Sequence, residues 1–476
     1  MDHEQFRQAG KEMIDYVADY LQNIRERRVL PTVQPGYLRA LIPDQAPEEG
    51  ESWREVMDDV ERVIMPGVTH WHSPQFHAYF PTGNSYPAIC ADILSDAIGC
   101  IGFTWIASPA CTELEVAMLD WLGRALALPE PFLASSGLGG GGVIQGTASE
   151  ATLVALLSAR SRRVRQLRQQ HPDWTETAVT GQLVAYCSDQ AHSSAERAGL
   201  LAGVRMRQLP TDSKFSLRGD TLAKAIQNDT ARGLIPFFML ATLGTTPSCA
   251  FDALPELGAV CERQQLWLHV DAAYAGSAFL CPEFRHLLDG VELAHSFNFN
   301  PHKWMLINFD CSAMWVKRAN DLVDAFNVDP LYLKHDKQGL VPDYRHWQIP
   351  LGRRFRSLKL WFVLRLYGLA GVRAHIRRHV QLAQLFEQRV RADPRFQIVT
   401  PVTLGLVCFR LQATNETNEA LLKAINAAGR IHMVPSMLRD TYILRFAVCA
   451  ASTEERDIEL AWAEVERQAG RLLPPP

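Results

Sequence analysis

The ten cysteines of this 476-residue chain, at positions 90, 100, 111, 187, 249, 261, 281, 311, 408 and 449, include no Cys-x-x-Cys pair. Zinc and dithiol redox sites need that spacing, and a chain this long has no use for a disulfide framework. The thiols are therefore expected to be reduced and mostly buried, with no metal bound. Also missing is any apolar run near the roughly 20 residues that cross a bilayer. The opening Met1-Asp2-His3-Glu4 has neither the basic nor the apolar region of a secretory leader. The sequons at Asn228 and Asn415 are then chance matches, and the expected location is cytoplasmic. Neither sign of charge is in excess: 48 basic against 52 acidic residues leave −4, which argues against nucleic acid or an anionic membrane as partner. The densest basic stretch, Arg160, Arg162, Arg163, Arg165 and Arg168, follows apolar Leu153, Val154, Leu156 and Leu157. It reads as the C-terminal half of a helix, where cations complement the dipole. No internal repeat occurs, and low complexity is confined to the glycine run 139–142.

What is present is apolar material for a large core: 47% hydrophobic against 21% charged residues, over a length that suggests about three domains. Asp2 is a candidate N-cap for a first helix carrying Phe6, Met13, Tyr16, Val17, Tyr20, Leu21 and Ile24 at helical spacing. A proline-rich crossing follows at Pro31, Pro35, Pro43 and Pro47, then a helical pattern over 53–64. Residues 1–84 thus have helices but no strands with which to build a core, and they are expected to lie on a partner subunit. Over 85–360, short apolar strands (183–187, 237–243, 266–270, 296–299 and 311–316) alternate with helical stretches. That rhythm predicts an α/β domain with a mainly parallel sheet covered on both faces. Over 361–476 a long helical stretch precedes strand-like 396–400, 404–411 and 442–448, a small α+β domain.

Chemistry-bearing residues recur where strands end. Leu266-Trp267-Leu268-His269-Val270-Asp271 is an apolar strand ending in a carboxylate, and ligands of open α/β sheets bind at strand carboxyl ends. Ser296-Phe297-Asn298-Phe299-Asn300-Pro301-His302-Lys303-Trp304 delivers a lysine into an aromatic setting, where desolvation lowers an amine's pKa and favours a Schiff base. An aspartate nearby could keep a pyridinium nitrogen protonated; alone, the two motifs read equally as a structural ion pair. The glycines 139–142 with Gly146-Thr147-Ala148-Ser149 at a helix start resemble a phosphate cup without the Gly-Lys-Ser/Thr of a nucleotide loop. The plain alternative is a loop with Thr147 or Ser149 as N-cap. His192, just past a strand, could stack on a flat ring or be a turn histidine, and Leu243-Gly244-Thr245-Thr246 adds hydroxyls at the same sheet edge. The four signals fall in the order that a fold-type I pyridoxal-phosphate site uses.

The stretches Ile64-Met-Pro-Gly-Val-Thr-His-Trp-His72, Ser108-Pro-Ala-Cys-Thr-Glu-Leu-Glu115, Asp189-Gln-Ala-His-Ser-Ser194, Phe297-Asn-Phe-Asn-Pro-His-Lys-Trp304 and Tyr344-Arg-His-Trp-Gln-Ile-Pro-Leu-Gly-Arg-Arg354 resemble the aromatic-L-amino-acid decarboxylases of the group II pyridoxal-phosphate decarboxylase family, the insect-type enzymes most of all. The resemblance runs from the first helix to about residue 450. It implies a fold-type I transferase fold with a seven-stranded sheet, pyridoxal 5'-phosphate as cofactor, and a homodimer with its sites at the interface. It implies further that Lys303 carries the cofactor, Asp271 pairs with the ring nitrogen, and His192 and Ala273 lie on opposite ring faces. Ala148, Ser149, Thr246, Asn300 and His302 would surround the cofactor, with Ser149 and Asn300 among those reaching its phosphate. Trp71, Tyr79, Phe80, Pro81, Thr82 and Gly352, with Ile101 and Phe103 from the other subunit, would form an aromatic substrate pocket.

The implied reaction is loss of the carboxylate from an aromatic L-amino acid, DOPA to dopamine or 5-hydroxytryptophan to serotonin. Tyr332 is the implied proton donor to Cα, in the charged segment 329–339 that reads as a lid between Pro330 and Gly339. Three neighbouring readings are weighed by single residues. Related aldehyde-forming synthases carry asparagine where this chain has His192, and histidine decarboxylases carry serine at Gly352 and tend to have it at His302. A non-catalytic cofactor-binding scaffold would have lost Lys303, Asp271 or Tyr332, and all three are present.

Overall fold

In the computed structural model, which describes residues 1–328 and 341–473, the contacts divide the chain into two units. One comprises Met1–Pro81, Leu382–Val402 and Val407–Pro476; the other comprises Thr82–Gln381 and Thr403–Leu406. Helix α1 (His3–Gln22) starts where expected, because the Asp2 carboxylate accepts the Glu4 and Gln5 N–H groups (both 2.9 Å) while the Gln5 side chain accepts the Asp2 N–H. Helix α2 (Trp53–Asp59), capped the same way by Ser52 and Glu55, runs on into a π turn, Val60–Ile64. Residues 1–81 hold no strand; Arg25 and Gln75 instead bind the buried Asp457 carboxylate at 2.9–3.0 Å. They share a unit with C-terminal residues of their own chain, where the sequence suggested a separate segment, and the boundary expected near 360 lies near 381.

In the larger unit, helices α3 (Tyr86–Ile98) and α4 (Pro109–Ala125) precede a seven-stranded sheet. Its strands are β1 (Gly141–Gln145), β2 (Leu183–Ser188), β3 (Arg205–Leu209), β4 (Ile235–Thr242), β5 (Trp267–Asp271), β6 (Ser296–Phe299) and β7 (Ser312–Val316), in the order β1-β7-β6-β5-β4-β2-β3. Only β7 opposes its neighbours, so the sheet is mainly parallel, as expected for strands buried on both faces. Helix α5 (Ala148–Gln170) follows β1 and carries the arginine run in its second half.

Two strands of this sheet were illegible in the sequence. Edge strand β3 reads Arg-Met-Arg-Gln-Leu, with charges where an edge meets water and no apolar run. Strand β1 contains half of the glycine run assigned to a phosphate cup. A Cβ at Gly142 would meet Leu119 and Trp315 at 3.0 Å, so that glycine serves close packing of β1, and the cup shrinks to Gly146 and the start of α5. In the other unit, β8 (Phe396–Ile398), β9 (Leu406–Leu411), β10 (Val434–Leu438) and β11 (Thr441–Ala447) form a second sheet in the order β10-β11-β9-β8. Strand β10 was not expected.

One buried ion pair fixes β1. Glu115 on α4 accepts the Ile144 N–H (2.7 Å) and an Arg353 N–H (2.8 Å), and the same Arg353 nitrogen donates to the Ile144 carbonyl (2.9 Å). Both side chains are at most 1% exposed. Removing one partner strands a charge out of water, whereas replacing both does not. Arg353→Met is therefore expected to lower unfolding stability by about 3–5 kcal/mol, with Glu115→Leu/Arg353→Met recovering much of it. Urea denaturation checks this; a loss under about 1 kcal/mol for the single variant would contradict the burial argument.

Candidate functional site

Parallel pairing places Asp271, the last residue of β5, opposite Asn298 of β6, so the two strands end together. The chain leaving β5 is tied to the chain leaving β6: the Asn300 N–H donates to the Ala273 carbonyl (3.0 Å) and the Ala272 N–H to the Asn298 carbonyl (2.9 Å). Beyond Asn300 a single helical turn, Pro301–Trp304, carries Lys303, whose N–H donates to the Asn300 carbonyl (2.9 Å).

The residues on either side of Lys303 are locked. His302 Nδ1 accepts the Cys311 N–H (2.9 Å), and its carbonyl accepts the Thr82 hydroxyl (3.0 Å) and the Gly83 N–H. Burial, reinforced by the Lys303 charge, pushes the His302 pKa down to about 3, so the ring is neutral at physiological pH. Trp304 is fully buried, stacks on Tyr274 (4.8 Å, 12°) and donates its indole N–H to His379 Nδ1 (3.0 Å). A turn anchored on both sides leaves the lysine side chain as its adjustable part.

Asp271 is 4% exposed. One carboxylate oxygen accepts the Ala273 N–H (3.0 Å). Burial raises its pKa, and Lys303, that N–H and His192 all pull the other way. His192, beyond β2, is exposed at one side. Its Nδ1 accepts the Ser194 N–H (3.2 Å) and lies 2.9 Å from the Ser194 hydroxyl, which puts the proton of the neutral ring on Nε2. Burial of its inner side, first, lowers the His192 pKa; Asp271 opposes this, and Lys303 and Arg197 add to it. Asp271, Lys303 and His192 thus act on one another.

The remaining expected residues fall into three groups. Thr147, not Ser149, is the N-cap of α5, its hydroxyl accepting the Glu150 N–H (3.1 Å), so Ala148 and Ser149 occupy the first turn, where backbone N–H groups lack intrahelical partners. Because β1 runs parallel to β6, this helix start lies at the same sheet edge as Lys303. Thr246 follows β4 at that edge, half-buried, next to Gly244, whose φ of +83° and Ala275 at 2.6 Å from its Cβ position both require glycine. Ile101 and Gly352 touch: a Cβ on Gly352 would lie 3.4 Å from Ile101. The Phe103 carbonyl accepts the Arg345 N–H (3.0 Å). Trp71, Tyr79, Phe80 and Pro81 belong to the other unit, where Trp71 stacks on Tyr79 (5.3 Å, 10°) and Arg445 covers Phe80 (5.1 Å). Tyr332 and the expected lid lie outside the described residues. Sequence reasoning missed His379 altogether, since a partner 75 positions from Trp304 has no local signal.

This arrangement fits pyridoxal phosphate. A buried carboxylate with a raised pKa asks for a cationic partner, and a ring N–H⁺ is one; the lysine supplies an amine, His192 a flat face, and the α5 start an anion site. Buried Asn300 Oδ1 has no hydrogen-bond partner among the described residues, and a hydroxyl donor would satisfy it. Comparison with known proteins agrees. The model for the pyridoxal-dependent decarboxylase conserved domain matches residues 35–412, and the chain belongs to that family. Within it, the chain is similar to the aromatic-L-amino-acid decarboxylase of Manduca sexta, 64% identical over 98% of this chain and 92% of that one. Among solved structures it is similar to tryptophan decarboxylase of Catharanthus roseus in complex with L-tryptophan (41% identity, TM-score 0.94, 99% of both chains). It is also similar to 4-hydroxyphenylacetaldehyde synthase of Rhodiola rosea (37%, TM-score 0.92, 99% of both).

A raised carboxyl pKa is a folding cost in the cofactor-free protein. The cost is absent below the ordinary aspartate range, grows as pH rises towards the raised value, and is constant above it. Asp271→Asn is therefore expected to raise the thermal midpoint of cofactor-free protein at pH 7.5 and to weaken cofactor retention. Scanning calorimetry of both forms checks this; a lowered midpoint in the cofactor-free variant would contradict the burial-dominated sign.

Proposed function

We propose that this chain is a carboxy-lyase that removes the α-carboxylate from aromatic L-amino acids. The observation that carries the reading is the locked turn bearing Lys303 beside the buried Asp271 carboxylate, on a chain similar to aromatic-L-amino-acid decarboxylase over nearly its whole length. When bound, the cofactor's ring supplies the electron sink for the pair left at Cα as the carboxylate departs.

The protein's part is to bind, orient and move protons. Lys303 Nζ holds the cofactor and gives way to the substrate's amine. Asp271, kept ionised by a ring N–H⁺, keeps that ring electron-poor. His192, fixed through Nδ1 by Ser194, presents its face to the ring and keeps Nε2–H directed away from the anchor. Ala148 and Ser149 at the α5 start, with the Asn300 side-chain N–H, take the phosphate and leave Asn300 Oδ1 to a hydroxyl donor, while Ala273, Thr246 and His302 line the cofactor's surroundings. Tyr332 delivers the proton to Cα. Thr82 and Gly352, with Ile101 and Phe103 contributed by the other subunit, favour a flat substrate ring, and the absence of a side chain at Gly352 leaves room there for a catechol or indole.

We also read the chain as a cytoplasmic homodimer. Ten cysteines free of disulfides suit a reducing compartment, and among the described residues no helix is long and apolar enough to cross a membrane. Tyr86, Ile93 and Ile98 on α3, with Ile101 and Ile106, are each at least 50% exposed, apolar side chains that a subunit interface would cover. Aldehyde formation is the second reading, favoured by the similarity to 4-hydroxyphenylacetaldehyde synthase. His192 favours the amine. Offered DOPA, 5-hydroxytryptophan, tyrosine and histidine separately, the enzyme is expected to yield carbon dioxide and dopamine or serotonin from the first two, with histidine the poorest substrate. Chromatographic product analysis decides it: aldehyde with ammonia as main product, or histamine formed as fast as dopamine, would overturn the reading.

A further inference from the structure

At the sheet edge opposite Lys303, a second cavity of about 860 Å³ lies among α5, the entries to β5 and β6, and the exit from β7. Four cationic side chains line it, Arg162, Arg163, Lys317 and Arg318, together with His295; the carboxylates there are Glu262, Glu292 and Asp321. Asp321 is shared by Arg162 (3.3 Å) and Arg318 (3.8 Å). The Lys317 ammonium sits at the Glu292 carbonyl and over the Phe132 ring (5.5 Å). Arg163 has no carboxylate partner among the described residues, and its Nε is buried with no hydrogen-bond partner there.

The cations are held close enough to strain one another. Burial first, then Arg162, pulls the Arg163 pKa down; burial first, then Arg162, Lys317 and Arg318, pushes His295 down to about 3. Neutral His295 accepts the Leu268 N–H at Nδ1 (3.2 Å), so its Nε2 carries a proton and serves as a donor. Arg162 is fixed over the Trp267 indole (4.9 Å), and His295 stacks on the same ring (5.4 Å). Cationic and neutral N–H donors therefore come from three separate elements, pre-positioned by packing, with one guanidinium lacking a counter-charge.

We propose that this cavity is a binding site for a small phosphate-bearing ligand, distinct from the cofactor site. Donors arriving from several directions suit a tetrahedral oxyanion, whose lone pairs point several ways, better than a flat carboxylate, which one arginine grips in a plane. The site adjoins the starts of β5 and β6, whose far ends carry Asp271 and lead to Lys303; the three residues Leu268, His269 and Val270 separate Trp267 from Asp271 along β5.

The test is isothermal titration of the holoenzyme with inorganic phosphate at constant ionic strength, cofactor absorbance being monitored throughout. The expected result is saturable binding that Arg163→Gln weakens about tenfold or more and Arg163→Lys restores in part, with fold and bound cofactor unchanged by circular dichroism and absorbance. No saturable binding up to 20-fold above about 1 mM, the weak end of small-ligand affinity, would overturn the proposal. Equal affinity in Arg163→Gln would place any binding elsewhere and overturn it too, and acetate binding as tightly as phosphate would overturn the assignment to a tetrahedral anion.

Discussion

The structure around the candidate site depends on a carboxylate held almost out of water. Asp271 ends a fully buried strand, and a single backbone N–H, an amine and an imidazole oppose the cost of keeping its charge there. Such a group is stable as an anion only beside a cation. The parallel sheet meets this need by ending β5 and β6 side by side, so that the turn after β6 returns a lysine to the neighbourhood of the carboxylate. A pyridinium would be such a cation, which is the physical reason for the pairing proposed here between Asp271 and the cofactor ring.

Reactivity and rigidity are divided between neighbouring positions. His302 and Trp304 are spent on anchoring, one through a backbone amide and a threonine hydroxyl, the other through a histidine and a stacked tyrosine. Lys303 between them is the residue proposed to hold the cofactor. The same economy appears at His192, where Ser194 occupies one ring nitrogen and leaves the ring face to a ligand. The family places this machinery among pyridoxal-dependent decarboxylases, and the flat-ring preference proposed here comes from positions outside the anchored turn.

Much of this was legible in the sequence because it is local. Apolar runs leading to Asp271, Asn300 and Thr246 marked strands that end at Asp271, Phe299 and Thr242, and a continuous apolar strand is hard to mistake when both faces are buried. The start of α1 was legible because Asp2, an N-cap residue type, precedes apolar residues at helical spacing; the reciprocal bond from Gln5 was not read from the sequence. What escaped was of two kinds. Strands β1 and β3 have compositions, glycine-rich and arginine-rich, that serve packing against Trp315 and edge exposure rather than strand propensity. Partnerships such as Glu115 with Arg353 and Trp304 with His379 join positions far apart in the chain, and one sequence carries no trace of them. Of the segment read as a phosphate cup, Gly141 and Gly142 belong to strand β1, and Thr147 to Ser149 form the start of α5.

Lys303, among all the lysines, is the amine proposed to carry the cofactor. Borohydride reduction of the holoenzyme followed by peptide mass mapping tests it directly. The reduced cofactor's mass is expected on the peptide containing Lys303 and on no other; the same mass on a different lysine, or none retained after denaturation, would overturn that assignment.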